Sequence, residues 1–305
     1  MPNPETHIYS SQNPNQFVPG WHILIDEAGK PHEQLKNLLA TLSIEHDGTL
    51  ATIVAETQKA WLRPKDRERW EIQECFENYS TVILETAQAL GIIEDLKPRQ
   101  KYYDYALLHG SDIHDVKERL GYLIKLAMDE ISFNSLIILS GPRPLDPTIE
   151  NHEILHQQHR DLKNKINWNA KSKHPETEIE MIEYIFNQVV LPEGLQVPTY
   201  FISSPICKSS DGHIKRPTTA TTVETWLATN PSPGTCLAIS NQPYVIYQDA
   251  VLKNLLPTSF FLETVGPALP HNKRNTLCGE ILDTIARILY EALCFIKNAS
   301  NRIKN

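Results

Sequence analysis

Four short clusters, far apart along the chain, carry the side chains best suited to meet a ligand. His109-Gly110-Ser111-Asp112 joins a glycine, which lets a ligand approach the backbone, to a carboxylate able to orient a hydroxyl or amine, hold a metal or move a proton. Ser140-Gly141-Pro142-Arg143-Pro144 sets a guanidinium between two ring-stiffened residues, where it can grip a carboxylate or phosphate through two parallel hydrogen bonds. Arg216-Pro217-Thr218-Thr219-Ala220-Thr221-Thr222 offers a second guanidinium and four hydroxyls, a set that suits phosphate or sugar oxygens. Ser240-Asn241-Gln242-Pro243 concentrates amides that can read an adenine edge or sugar hydroxyls. Asp112 and Glu178 are the candidate catalytic carboxylates. The candidate ligand contacts are His109, Gly110, Ser111, Ser140, Gly141, Arg143, Arg216, Thr218, Thr219, Thr222, Ser240, Asn241 and Gln242. Each cluster also has a structural reading: Ser, Asp and Thr cap helices, and an arginine after a strand can form an internal salt bridge.

A rival motif lies between the second and third clusters. His152-Glu153-Ile154-Leu155-His156 fits H-E-x-x-H, which on a helix sets two imidazoles on one face to hold zinc with the glutamate as general base. Its flanks, Glu150-Asn151 and Gln157-Gln158-His159, are very polar, and no third ligand stands at a family spacing. A solvated helix is the simpler expectation, with a zinc metallopeptidase as the third functional reading.

Positioning these residues requires strands that end where the clusters begin. Apolar runs at Tyr105–Leu108, Ser135–Leu139, Pro198–Ile202, Thr235–Ile239 and Phe260–Val265 are short enough for strands buried on both faces. Helical patterns separate them. One follows Asp112, with Val116, Leu120, Leu123, Ile124 and Met128 on one face; others span 176–189, 218–227 and 244–255, and a last one begins at Cys278. This alternation predicts βαβ units and a mostly parallel, Rossmann-like sheet of about five strands. Right-handed crossovers then bring every strand's C-terminal end to one edge, where open α/β sheets bind ligands. Residues 1–20 read as an irregular arm and 21–101 as a helical annex, with Gly91 closing a helix. Residues 102–305 read as the α/β domain, with a polar insertion around 145–175.

Composition narrows the function. A net charge of -8 argues against a general nucleic-acid binder, since phosphate backbones require a basic face. No apolar run reaches the ~18 residues needed to span a bilayer and the first residues lack a signal-peptide pattern, so a cytoplasmic location is expected. Five scattered cysteines with no CxxC pair indicate reduced thiols rather than disulfides or a thiolate metal site.

The order of the motifs over residues 102–268 resembles the YdcF-like and SanA-like family of bacterial proteins. Leu107-Leu-His-Gly-Ser-Asp112 with Glu118-Arg119-Leu120 resembles the family's first strand, turn and Arg-containing helix. Ser140-Gly141-Pro142 is similar to its Ser-Gly-Gly, Thr177-Glu178-Ile179-Glu180-Met181 to its Ser-Glu-Ala-x-x-Met, Thr222-Val223-Glu224-Thr225 to its Thr-x-Glu-Asn, and Ile239-Ser240-Asn241 to its Val-Thr-Ser. Three positions depart from the pattern: Pro142 replaces a Gly, Thr225 an Asn, and Tyr244 stands near a usual His. The resemblance implies a Rossmann-like fold and S-adenosylmethionine as a ligand of some members. Together these readings predict a protein that binds a nucleotide-like or other anionic small molecule, working as a group-transfer or hydrolytic enzyme. The alternative is a non-catalytic protein with a degenerate site that docks a protein partner through its helical annex.

Overall fold

The computed structural model describes residues 20–63, 76–166, 168, 174–208, 214–215 and 217–303. The Lys65–Trp70 charged stretch and the arm before Gly20 lie outside them.

The expected strands all form. β1 (Tyr102–His109) is followed by α4 (Ile113–Met128), β2 (Ser132–Ser140), α5 (His152–His156), α6 (Glu178–Gln188) and β3 (Thr199–Ser203). Then come the short β4 (Cys207–Lys208) and β5 (Ile214–Lys215), α7 (Thr219–Leu227), β6 (Thr235–Ile239), α8 (Val245–Leu255) and β7 (Phe261–Val265). Ahead of the sheet run α1 (Glu33–Thr41), α2 (Leu50–Trp61) and α3 (Ser80–Ala89); after it comes α9 (Cys278–Ile303). The fold class is α/β and Rossmann-like: five parallel strands in the order β3-β2-β1-β6-β7. The two-residue β4–β5 ladder, antiparallel, was not foreshadowed by any apolar run.

Alternation along the strands sends side chains to two buried faces. Ala106, Leu108, Leu136, Ile138, Leu237 and Ile239 share one core with Val116, Leu120 and Leu123 of α4 and with Met181, Ile182 and Ile185 of α6. The opposite face meets α7, where Trp226 packs edge-on against Tyr105 and Phe260. With both faces covered, the central strands are apolar throughout, which is why they read as unbroken runs.

Contacts divide the chain into two compact units. The sheet unit holds residues 96–241 and 255–267. The helical unit joins the residues up to 95 with 242–254 and 268–305, so α8 and most of the last forty residues group with the N-terminal helices. This differs from the boundary near residue 102 expected from sequence. The reason is packing: α2 lies against α9, α3 also touches α9, and the buried stripe Ile281, Ile285, Ile288 and Leu289 belongs to that helical core. Gly91, with φ +69°, closes α3 as anticipated. Among the described residues no helix is long and apolar enough to cross a membrane.

Candidate functional site

The chain leaves β1 toward β2 and β3 on one side, then returns to lay β6 and β7 on the other. The direction therefore reverses between β1 and β6, and a crevice at the C-terminal ends of such neighbours is where open α/β sheets take ligands. The turn after β1 and the turn after β6 are joined there by one buried side chain. Arg119, from the second turn of α4, donates from Nη1 to the carbonyls of His109 (2.9 Å) and Gly110 (2.8 Å) and from Nε to Asn241 Oδ1 (2.6 Å). Asn241 returns a bond from Nδ2 to Asp115 Oδ1 at 2.9 Å, and Ser111 Oγ donates to Asp115 Oδ2 at 2.8 Å. Asp115 and Arg119 lie one turn apart on the same helix, 3.8 Å from each other.

A second knot forms between the turns after β1 and β2. Gly110 N donates to the Leu139 carbonyl (2.8 Å), and Ser140 Oγ donates to Glu178 Oε1 (2.7 Å). A Cβ on Gly110 would fall 2.2 Å from that carboxylate oxygen and 2.6 Å from Ser140 Oγ, so only glycine fits. A Cβ on Gly141 would lie 2.4 Å from Pro217, just ahead of α7. Ser204, after β3, donates its N–H to the Ser140 carbonyl (3.3 Å). The turns after β1, β2, β3 and β6 and the start of α7 are thus linked along one edge.

No family model, curated protein or solved structure matches this chain. The site must therefore be read from its own residues.

Asp112 caps α4, accepting from Asp115 N at 3.0 Å. Burial, reinforced by the carboxylates of Asp115 and Glu150, pushes its acid up to about 7. His109 ends β1, fully enclosed. Burial, then the nearby Arg119 charge, drives its imidazole down to about 3, so it is neutral at physiological pH. Its Nε2 has no hydrogen-bond partner among the described residues.

Arg143 does not face outward as a lone cation. Nε donates to Glu178 Oε2 (2.8 Å), and Nη1 and Nη2 form a two-pronged pair with the buried Glu150 (both 2.6 Å). Glu178 is thereby held by Ser140 and Arg143 together. The threonines are also engaged locally. Thr218 and Thr221 form a reciprocal capping box, and Thr222 and Thr225 donate to the carbonyls of Thr219 and Thr221 within α7. Thr219 Oγ1 makes no hydrogen bond among the described residues. Ser240 is buried, its N–H on the Val265 carbonyl (2.9 Å). Gln242 belongs to the helical unit, where Nε2 donates to the carbonyls of Gly91 (3.1 Å) and Glu94 (2.8 Å). Arg216 lies outside the described residues.

In the H-E-x-x-H stretch, α5 is one short helix capped by Asn151. Lys117 reaches from α4 to the carbonyls of Ile154, Leu155 and Gln157 (2.7–3.0 Å), closing the helix with a cation whose acid burial pulls down to about 8. His156 Nε2 bonds Tyr184 OH at 3.2 Å, and among the described residues no group of His, Cys, Asp and Glu could hold a metal ion.

Asp115 and Glu150 were not singled out from sequence, and Arg119 was noted only as part of a motif. Arg119 did leave a signal: an arginine three residues after Val116 falls on the apolar stripe of α4, where a charge needs a partner. Glu150 left none, since its polar neighbourhood gives no hint of full burial.

Proposed function

We propose that this chain binds a small, polar, nucleotide-like molecule at the C-terminal edge of its sheet, beside the β1–β6 reversal. The carrying observation is the linkage of four strand-end turns through Arg119, Asn241, Ser140 and Glu178, with glycines at the two closest approaches. A rim braced this way presents backbone donors in fixed positions, and the N-terminal turns of α4 and α7 add N–H groups suited to anionic oxygens. Because Arg143 is paired with Glu150 and Glu178, negative charge on the ligand falls to those N–H groups and to the Thr219 hydroxyl. Asp112, poised near neutrality, is the group that orients a ligand hydroxyl or exchanges a proton with it. Group transfer or hydrolysis on a nucleotide-like substrate fits this set. The resemblance to YdcF-like and SanA-like bacterial proteins makes S-adenosylmethionine the first ligand to try, and a cytoplasmic setting accords with the reading.

A thermal-shift panel of nucleotides, S-adenosylmethionine and sugar phosphates tests it. A ligand at a hundred times its Kd stabilises by about 2.7 kcal/mol, enough to raise Tm visibly. The shift should shrink in Asp112→Asn. A panel with no active compound, or a shift indifferent to Asp112, sinks the proposal. The alternative, a non-catalytic interaction protein with a degenerate site, draws on the pairing of both Arg119 and Arg143 inside the molecule; it predicts that no compound in the panel binds.

A further inference from the structure

Among the described residues of the sheet unit, two buried side-chain polar atoms have no hydrogen-bond partner, His109 Nε2 and Ser204 Oγ. Both stand at C-terminal strand ends: His109 is the last residue of β1, and Ser204 follows β3 directly. An orphaned polar group in an interior costs stability, and such groups collect where a protein trades stability for function. Ser204 is two strands from the reversal, beside Gly141. His109 is at it.

Strand alternation fixes the direction of the imidazole. Ala106 and Leu108 enter the core shared with α4 and α6, so His109 goes to the opposite face, as Tyr105 does against Trp226. The pairing of Leu108 with Ile239 brings Ser240 level with His109 on the neighbouring strand, about 4.8 Å away. Leu237 and Ile239 belong to the α4 core, so Ser240 shares the face of His109. His109 is 3% exposed and Ser240 fully buried. Ser240 Oγ donates only at 3.5 Å, to the adjoining Asn241 carbonyl. Both side chains are uncharged, and neither is bonded into the Arg119 or Arg143 networks. They flank the two strands between which the chain reverses, the crevice position of open α/β sheets.

We infer, on the strand-edge reading above, that His109 and Ser240 receive the uncharged part of the ligand, a nucleoside hydroxyl or base amide, with His109 Nε2 as its hydrogen-bond partner. The ligand is thereby oriented: its nucleoside end lies at β1 and β6, and its anionic end on the N–H groups of α4 and α7. A hydroxyl or amide group both donates and accepts, so it satisfies a neutral imidazole in either tautomer together with a serine hydroxyl.

The test is isothermal calorimetry of the full chain with adenosine, guanosine, cytidine and uridine, beside their monophosphates. At least one free nucleoside should bind. His109→Leu should weaken that nucleoside about tenfold, the effect of one buried hydrogen bond. His109→Gln, which keeps a hydrogen-bonding group near the Nε2 position, should recover part of the loss. Urea unfolding without ligand separates a structural role, because removing an orphaned group should leave His109→Leu at least as stable as the parent. Lost stability in both His109→Leu and His109→Gln overturns the inference. A compound that loses affinity in Asp112→Asn yet binds His109→Leu unchanged keeps the strand-edge reading and overturns this one. Monophosphates that bind while every free nucleoside fails do the same, and a panel with no binder sinks both.

Discussion

Asp112 and His109 are two residues with opposite pH signatures. The Asp112 acid, about 7 in the folded chain against an ordinary 3.8, keeps a proton that the unfolded chain releases, so its contribution weakens stability as pH rises from about 4 to 7. The His109 imidazole, about 3 against 6.5, refuses a proton that the unfolded chain takes up, so its contribution weakens stability as pH falls from 6.5 toward 3. Between about pH 4 and 6.5 the two slopes oppose. Asp112→Asn removes one of them while preserving a good helix cap. Its Tm relative to the parent should therefore climb between pH 5 and pH 8, measured by thermal melts in matched buffers; parallel curves would show that Asp112 titrates normally. Gly110→Ala makes a second residue-level test. Its methyl would occupy the place of Glu178 Oε1, so the turn must shift at a cost of about 1–3 kcal/mol, read from urea unfolding. A Gly110→Ala protein as stable as the parent would show that the turn has room to yield.

Among the elements, charges are buried in pairs that brace turns. Arg143→Met leaves Glu150 enclosed without its partner and should destabilise by about 3–5 kcal/mol, while Arg143→Met with Glu150→Met should recover much of the loss. Equal losses in the single and double variants would mean the arginine stem, not its charge, matters. Lys117→Met removes the ammonium from three carbonyls at the end of α5. Amide exchange should accelerate in residues 152–157 and stay unchanged in α7. The elements themselves were largely legible. Tyr105–Leu108 and Thr235–Ile239 are runs that only a two-sided burial explains, and helices between them follow the 3.6 period. Within the site, Gly110 and Gly141 could be read because small residues after strands mark close approaches. The identity of each arginine's partner could not. Arg143 meets Glu150 and Glu178, 7 and 35 residues away, and Arg119 meets Asn241, 122 residues away. Nothing local encodes such pairings, so Arg143 read as a ligand grip when its guanidinium is already neutralised.

For the molecule as a whole, the division into units overrides the linear order. A fragment of residues 102–305, the domain expected from sequence, would keep the sheet but strip α9 of α2. Ile281, Ile285 and Leu289, fully buried in the intact chain, would lose cover. That fragment should bind a hydrophobic dye strongly and aggregate, judged by light scattering beside the full chain; a monomeric, dye-silent fragment would contradict the division. The same arrangement bears on synthesis. During translation β7 is complete once Val265 has emerged, and the sheet can close around its own core. α2 is made before the sheet strands, yet its partner α9 spans Cys278–Ile303 and is made only after β7. The oily face of α2 must therefore wait uncovered while β1 to β7 are synthesised, so nascent-chain chaperones should be needed most over the stretch between α2 and α9.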